Sequence, residues 1–231
     1  MSLTDGARQG SGRDARHVVW DWNGTLFDDH AAVVAAVNEA LARVGIHPID
    51  ADAYRSHYTR PVQVFYERVA GRPIEPDEWY VLDDTYHDSY RRAVDRLGLA
   101  AGARAALADA ERAGLTQSLL SMWRHEDLVP LVERLGIGRF FVRIDGLRVA
   151  GGETKAEHLV EHLAALAIDP ATTVLVGDSL DDLAAARAVG ARCVLYDGGS
   201  HHRYALEATG VPVVDTLTAA LAAAGVGPPP P

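Results

Sequence analysis

The chain has 231 residues, a formal net charge of −10 and a hydrophobic content of 48%. This length suits one α/β domain, or a core domain that carries a smaller insertion, and the apolar content is enough for a sizeable core. The acidic charge argues against nucleic acid as a partner, because such binding depends on clustered basic residues. No apolar run approaches the ~20 residues of a membrane-spanning helix. We therefore expect no membrane association and a cytoplasmic protein.

Short apolar runs alternate along the chain with longer alanine- and leucine-rich stretches of helical spacing. This alternation predicts an α/β fold with a Rossmann-like parallel-sheet core and helices on both faces of the sheet. The predicted strands are 17–20, 116–120, 140–142, 173–176, 192–195 and 211–214. The predicted core helices are 103–113, 126–135, 154–167 and 181–189.

The stretch 29–99 breaks this alternation. It holds helical patterns at 31–44, 62–69 and 78–97, no convincing strand, and six of the eight tyrosines. We interpret it as an inserted helical cap domain, so that the core comprises 17–28 and 100–224. The polar, glycine-rich segment 1–16 and the proline-rich segment 225–231 are expected to be flexible tails.

Polar side chains follow several of the predicted strands. Asp21, Ser121 and Asp178 each come directly after an apolar run, and the carboxyl ends of parallel strands meet at one edge of a sheet. Lys155, the only lysine of the chain, begins a predicted helix from which it can reach the same edge. Two carboxylates, a hydroxyl and an ammonium suit phosphoryl transfer. One carboxylate attacks phosphorus, both can hold Mg²⁺, and the ammonium and hydroxyl neutralise developing charge.

Four dispersed motifs then make the chain resemble the haloacid dehalogenase-like superfamily. The first is VVWDWNGTL, which runs from Val18 to Leu26; the second ends in Ser121; the third contains Lys155; and the fourth is VGDSLDD at 176–182. The resemblance spans 18–214 and implies a Mg²⁺-dependent hydrolase, a phosphatase of a small phosphorylated metabolite. The inserted segment resembles the helical cap of the phosphoglycolate phosphatase-like members. A monomer and a homodimer both remain open.

The resemblance implies a role for each matching residue. Asp21 would be the nucleophile that forms an aspartyl-phosphate, and Lys155 would steady both Asp21 and the transferring group. Thr25 and Ser121 would contact the phosphoryl group. The implied metal ligands are Asp21, Asp178, Asp182 and the backbone carbonyl of Asn23.

Asn23 departs from the family pattern, in which phosphatases carry an aspartate that serves as general acid and base. Three interpretations stay open. The substrate can have a good leaving group, such as an acyl, anhydride or aryl phosphate. Another side chain, among Asp28, His30, His57 and Tyr58, can supply the proton. The chain can also be a catalytically weak binding or regulatory protein. A further alternative is a C–X bond hydrolase that resembles the dehalogenases or phosphonatases.

Specificity is expected to reside in the cap. Arg60 can pair there with a second anionic group of the substrate, although a surface arginine before a helix-starting proline is as good an interpretation. We expect His201 and His202 to be solvated. We expect the aromatic series of the cap to form its hydrophobic core. That series comprises Tyr54, Tyr58, Phe65 and Tyr66.

Overall fold

A parallel sheet of six strands forms the centre of the computed structural model, which describes residues 15–148 and 154–226. The strands are β1 His17–Trp20, β2 Thr116–Arg124, β3 Arg143–Leu147, β4 Thr173–Gly177, β5 Arg192–Tyr196 and β6 Val213–Val214. They lie in the order β3–β2–β1–β4–β5–β6, and each neighbouring pair is parallel. The central strand β1 is therefore flanked by β2 and β4, whose carboxyl ends share its edge. Most of the two predicted tails lies outside the described residues.

Helices cover both faces of this sheet, as the alternation of the sequence predicted. The α-helices of the described ranges are α1 His30–Arg43, α2 Ala51–His57, α3 Val62–Ala70, α4 Pro76–Val94, α5 Ala103–Arg112, α6 His125–Arg134, α7 Lys155–Leu166, α8 Leu180–Val189, α9 Arg203–Glu207 and α10 Ala220–Ala223. None of these helices is long and apolar enough to cross a membrane.

Successive residues of β1 belong to different hydrophobic cores, because side chains alternate across a strand. Val18 and Trp20 pack into a cluster with α5, α6 and α10. Val19 packs into a second cluster with α7, α8 and α9. Strand β1 is buried along its whole length, which explains its continuous apolar sequence.

Four helices, α1 to α4, lie between β1 and α5 and share a hydrophobic cluster of their own. Its buried members are Val37, Ala40, Leu41, Tyr54, Phe65, Tyr66, Ile74 and Leu82. Helix α2 is absent from the sequence-based expectation. It has only seven residues, and Asp50 caps it by accepting a 2.8 Å hydrogen bond from the Ala53 amide. The domain boundaries after 28 and 99 stay a prediction.

Three of the predicted strands need correction. The segment 140–142 is not a strand, because Gly138–Phe140 forms a 3-10 turn and β3 begins at Arg143. Phe140 instead packs into the sheet–helix cluster. Strand β3 lies at the edge of the sheet, where polar residues such as Arg143 and Asp145 are tolerated, and this hid it from an apolar pattern. Strand β2 runs to Arg124, beyond Ser121, and β6 is shorter than predicted.

Candidate active site

The loop after β1 brings Asp21 to the carboxyl edge of the sheet. The Asp21 amide donates a 2.9 Å hydrogen bond to the Val176 carbonyl of β4, and the Asp21 side chain is buried. Gly24 adopts φ +70°, and a Cβ added there would lie 2.7 Å from Oδ2 of Asp178. Glycine at this position therefore permits both the turn and the close approach of the two loops.

Lys155 lies between two carboxylates at this edge. Its Nζ contacts Oδ1 of Asp21 and Oδ1 of Asp182, and only 4% of its side chain is exposed. Thr25 donates a 2.9 Å hydrogen bond to the other oxygen of Asp21. Burial alone would lower the pKa of Lys155, but Asp182 and Asp21 raise it above its ordinary value. The ammonium is therefore charged, and the orientation of the Asp21 carboxylate is fixed by partners on both oxygens.

Three buried carboxylates converge here. Asp21, Asp178 and Asp182 offer oxygens that lie within 4.8 Å of one another. Burial, together with the charges of Asp21 and Asp182, raises the pKa of Asp178. Lys155 is the one cation in contact with this cluster among the described residues, so negative charge remains in excess. A buried oxygen-only donor set with excess negative charge fits a hard divalent cation.

Two of these carboxylates, Asp178 after β4 and Asp182 in the first turn of α8, accept hydrogen bonds from backbone amides. Oδ2 of Asp178 accepts a 2.6 Å hydrogen bond from the Ser200 amide. Asp182 accepts hydrogen bonds of 3.0 Å from the Ser179 amide and 2.6 Å from the Ser179 hydroxyl, which closes the capping box at the start of α8. Helix capping therefore fixes the position of Asp182, whose other oxygen faces Lys155.

Ser121 lies next to Asn23. Its hydroxyl accepts a 3.0 Å hydrogen bond from the Trp123 amide and lies 3.4 Å from Oδ1 of Asn23. The structure thus brings together the predicted residues Asp21, Asn23, Thr25, Ser121, Lys155, Asp178 and Asp182. The glycines that precede Lys155 in the third motif lie outside the described residues.

Asn23 is held by two residues that the sequence-based prediction missed, Asp29 and Tyr90. Its Nδ2 donates to Oδ2 of Asp29 at 2.7 Å and to the Tyr90 hydroxyl at 2.8 Å. The Tyr90 hydroxyl donates to the same Asp29 oxygen at 2.6 Å, and the Gly24 amide donates to the other at 2.8 Å. Burial raises the pKa of Asp29, although these hydrogen bonds oppose the shift. An aspartate before a helix is typical of a capping residue, but this side chain does not cap α1.

A cavity of about 450 Å³ opens above this cluster, between the sheet edge and helices α1 to α4. Among the proposed proton donors, His30 and Tyr58 line it, whereas Asp28 and His57 are not part of its lining. Burial lowers the pKa of His30 to about 4. The aromatic series was predicted to form the hydrophobic core of the cap, and its members also line this cavity. Its members are Tyr54, Tyr58, Phe65 and Tyr66.

Two further contacts join the cap to the core, and one of them differs from the sequence-based expectation. His201 is buried rather than solvated, and its ring packs edge-on against Tyr58 at 5.3 Å between centroids. Arg60 lines the cavity, is about 40% exposed, and its Nε lies 3.7 Å from a carboxylate oxygen of Asp181. Asp181 lies in the first turn of α8. It also faces the cap.

The family model for haloacid dehalogenase-like hydrolases matches residues 15–190. The chain belongs to this family. A phosphoglycolate phosphatase of Pseudomonas fluorescens is 29% identical over 224 residues, covering 90% of this chain and 79% of the relative. A phosphoglycolate phosphatase of Caulobacter vibrioides is 26% identical over 187 residues, covering 79% of each chain. A solved haloacid dehalogenase-like hydrolase from Streptococcus pneumoniae superimposes with a TM-score of 0.77 at 18% identity, covering 90% of this hydrolase and 97% of that chain, and shows the same fold.

Proposed function

We propose that this hydrolase is a Mg²⁺-dependent phosphatase of a small phosphorylated metabolite that works through an aspartyl-phosphate on Asp21. The observation that carries the proposal is the position of Lys155 between Asp21 and Asp182, with Thr25 on the second oxygen of Asp21. A carboxylate that is fixed in orientation and faces an ammonium is suited to attack a phosphoryl group. The activities named for the curated relatives support the same chemistry.

The reaction has two steps at this site. An oxygen of Asp21 forms a bond to phosphorus while the bond to the leaving oxygen breaks, and that oxygen departs with the electron pair. Water then attacks the phosphorus of the aspartyl-phosphate, which releases inorganic phosphate and restores the Asp21 carboxylate. Lys155 and the hydroxyls of Thr25 and Ser121 bind the equatorial phosphoryl oxygens.

The residues present fit a magnesium ion. Its ligands would be the carboxylates of Asp21, Asp178 and Asp182 and the backbone carbonyl of Asn23, and when bound it supplies positive charge that neutralises the phosphoryl oxygens. Arg60 lines the cavity, which supports a contact with the part of the substrate that extends into the cap.

Asn23 restricts which leaving groups are efficient, because an amide neither protonates a leaving oxygen nor activates water. Both of its amide hydrogens are used by Asp29 and Tyr90. This feature also favours a second candidate function, a binding protein of low turnover that keeps the fold and the metal site. His30, at the start of α1, and Tyr58 both line the cavity, and they are the remaining candidates for a proton donor.

Phosphate release from a panel of phosphorylated compounds separates these functions. The panel contains acetyl phosphate, p-nitrophenyl phosphate and phosphoglycolate, each assayed with Mg²⁺ and with EDTA. We expect Mg²⁺-dependent release that Asp21→Asn abolishes and that the exposed control Asp84→Asn leaves intact. Phosphate release that survives EDTA would overturn the proposed Mg²⁺ dependence. No release from any ester, with Mg²⁺ binding intact, would favour the binding protein.

A further inference from the structure

The cap side of the cavity is built mainly from aromatic rings. Helices α2, α3 and α4 and the residue after α2 contribute these rings, which belong to Tyr54, Tyr58, Phe65, Tyr66, Trp79 and Tyr86. Trp79 and Tyr86 are only half-buried, so the cap cluster leaves part of their surface open to the cavity. Trp123 adds a ring from the end of β2. A volume of about 450 Å³ falls within the range of sites that hold ring-sized organic ligands.

The charges in the same lining disfavour a second carboxylate on the substrate. Arg60 is already paired with Asp181, and Lys155 is held by the carboxylates at the cavity floor. Asp29 and Asp83 add further acidic groups to the lining. A short carboxylate such as that of phosphoglycolate would therefore lie near acidic groups of the described lining. The arginine and lysine side chains of that lining already contact carboxylates of the protein.

The chemistry at Asn23 also favours a ligand with an aromatic ring. Without an acid at this position, the leaving oxygen has to depart as an anion. A phenol, with a pKa of about 10 as in tyrosine, is a far better leaving group than an aliphatic alcohol. An aromatic leaving group thus matches both the walls of the cavity and the amide at its floor.

We propose that this site takes an aryl phosphate, a phosphate ester of a phenol, whose ring lies against the aromatic wall of the cap. The inference rests on the proposed phosphatase function. The Asp21 oxygen forms a bond to phosphorus, the bond from phosphorus to the phenolic oxygen breaks, and the electron pair leaves with the phenolate, which then takes a proton from water. Water hydrolyses the aspartyl-phosphate as in any phosphomonoester reaction of this site.

Binding of stable analogues tests the ligand class independently of turnover. Phenylphosphonate and phosphonoacetate both carry a phosphonate, but one adds a ring and the other a carboxylate. With the Mg²⁺-loaded full chain, calorimetric titration is expected to show at least tenfold tighter binding of phenylphosphonate. Equal affinity, or tighter binding of phosphonoacetate, would overturn the inference whether or not the protein hydrolyses esters. Tighter binding of phenylphosphonate without phosphate release from any substrate would instead contradict the phosphatase function alone.

A matched pair of variants on α4 tests the aromatic wall. Tyr86 lines the cavity, whereas Tyr80 on the same helix is 71% exposed and outside the lining. Tyr86→Leu is expected to weaken phenylphosphonate binding roughly two- to tenfold, because an aromatic contact is lost, with phosphonoacetate unaffected. Tyr80→Leu is expected to change neither. An equal loss of affinity for both ligands in Tyr86→Leu, or no loss for either, would contradict a contact between Tyr86 and the ring of the ligand.

Discussion

The side-chain amide of Asn23 donates a 2.7 Å hydrogen bond to the buried carboxylate of Asp29. This contact joins the loop after β1 to the start of α1, and Tyr90 of α4 completes it with hydrogen bonds to both side chains. Asn23 is therefore complementary to its surroundings as an amide. A carboxylate at the same position would face another carboxylate.

The exchange of Asn23 for the family's aspartate is expected to fail as a single change. Asn23→Asp removes the donor to Asp29 and places a half-buried carboxylate within hydrogen-bond distance of the buried Asp29 carboxylate, so that one must hold a proton. We expect a loss of stability of roughly 1–3 kcal/mol and no increase in phosphate release. Urea unfolding and the ester panel measure the two effects.

The double variant N23D/D29N is the compensating control. The amide is then at position 29 and donates to the carboxylate at position 23, which restores the hydrogen bond with its direction reversed. We expect recovered stability and, for esters with poor leaving groups, a gain in rate of up to ~10²-fold as a general acid becomes available. A rate gain in Asn23→Asp alone, without loss of stability, would contradict this account.

Lys155 is expected to be essential for the folded state when no metal is bound. It contacts Asp21 and Asp182 while almost fully buried, and its removal leaves three carboxylates without a cation. Lys155→Met should cost about 3–5 kcal/mol of unfolding free energy in EDTA. Arg91→Met, which breaks an exposed ion pair with Asp88, should cost much less. Comparable losses in the two variants would argue against the buried pairing.

Mg²⁺ is expected to raise the thermal stability of this hydrolase. A ligand that binds only the folded state adds about 2.7 kcal/mol at a concentration one hundred times its Kd. Asp178→Asn should abolish most of this Mg²⁺-dependent rise in Tm. It should also raise the Tm of the metal-free protein, since the Asp178 carboxylate is buried among like charges that raise its pKa. Thermal denaturation with and without Mg²⁺ checks both. If Mg²⁺ raised the Tm of Asp178→Asn as much as that of the control Asp84→Asn, Asp178 would not be a metal ligand.

Acid is expected to destabilise the fold through His17 at the start of β1. Both ring nitrogens have partners, Thr116 and Ser118, at 2.8 Å, and burial with the nearby charge of His162 lowers the pKa of His17 to about 4. The unfolded chain binds this proton near pH 6.5, so stability that is present above pH 6.5 is lost as the pH falls toward 4. The expected loss from this group is roughly 3 kcal/mol.

The pH dependence of unfolding in His17→Gln provides the measurement. The difference in unfolding free energy between wild type and variant should shrink from pH 7 to pH 4, because only the wild type has to keep a buried imidazole neutral. His47→Gln, at an exposed position, is the matched control and should leave this pH profile unchanged. A constant difference between wild type and His17→Gln would show that His17 does not carry the acid sensitivity.

The sequence predicted the core of the fold closely where local patterns decide it. The buried strands β1, β4 and β5 are short apolar runs, and the helices beside them have regular apolar spacing, so their position follows from neighbouring residues alone. The edge strand β3 and the seven-residue helix α2 escaped prediction. Neither has the apolar periodicity of a fully covered element.

The residues of the four motifs could also be located from local patterns. The sequence placed Asp21, Ser121, Lys155 and Asp178 at one edge, because each follows an apolar run or begins a predicted helix and the predicted sheet is parallel. The chain by itself thus determined the layered core, the helical insertion and the residues that meet at the sheet edge.

Only the tertiary structure decided what surrounds these residues. The partners of Asn23 come from the start of α1 and from Tyr90 of α4, and Arg60 of the cap meets Asp181 of the core. Such contacts join side chains far apart in the chain, and they depend on how the cap packs above the sheet. Apolar periodicity indicates which face of a helix is buried. It does not state which distant polar group that face will meet.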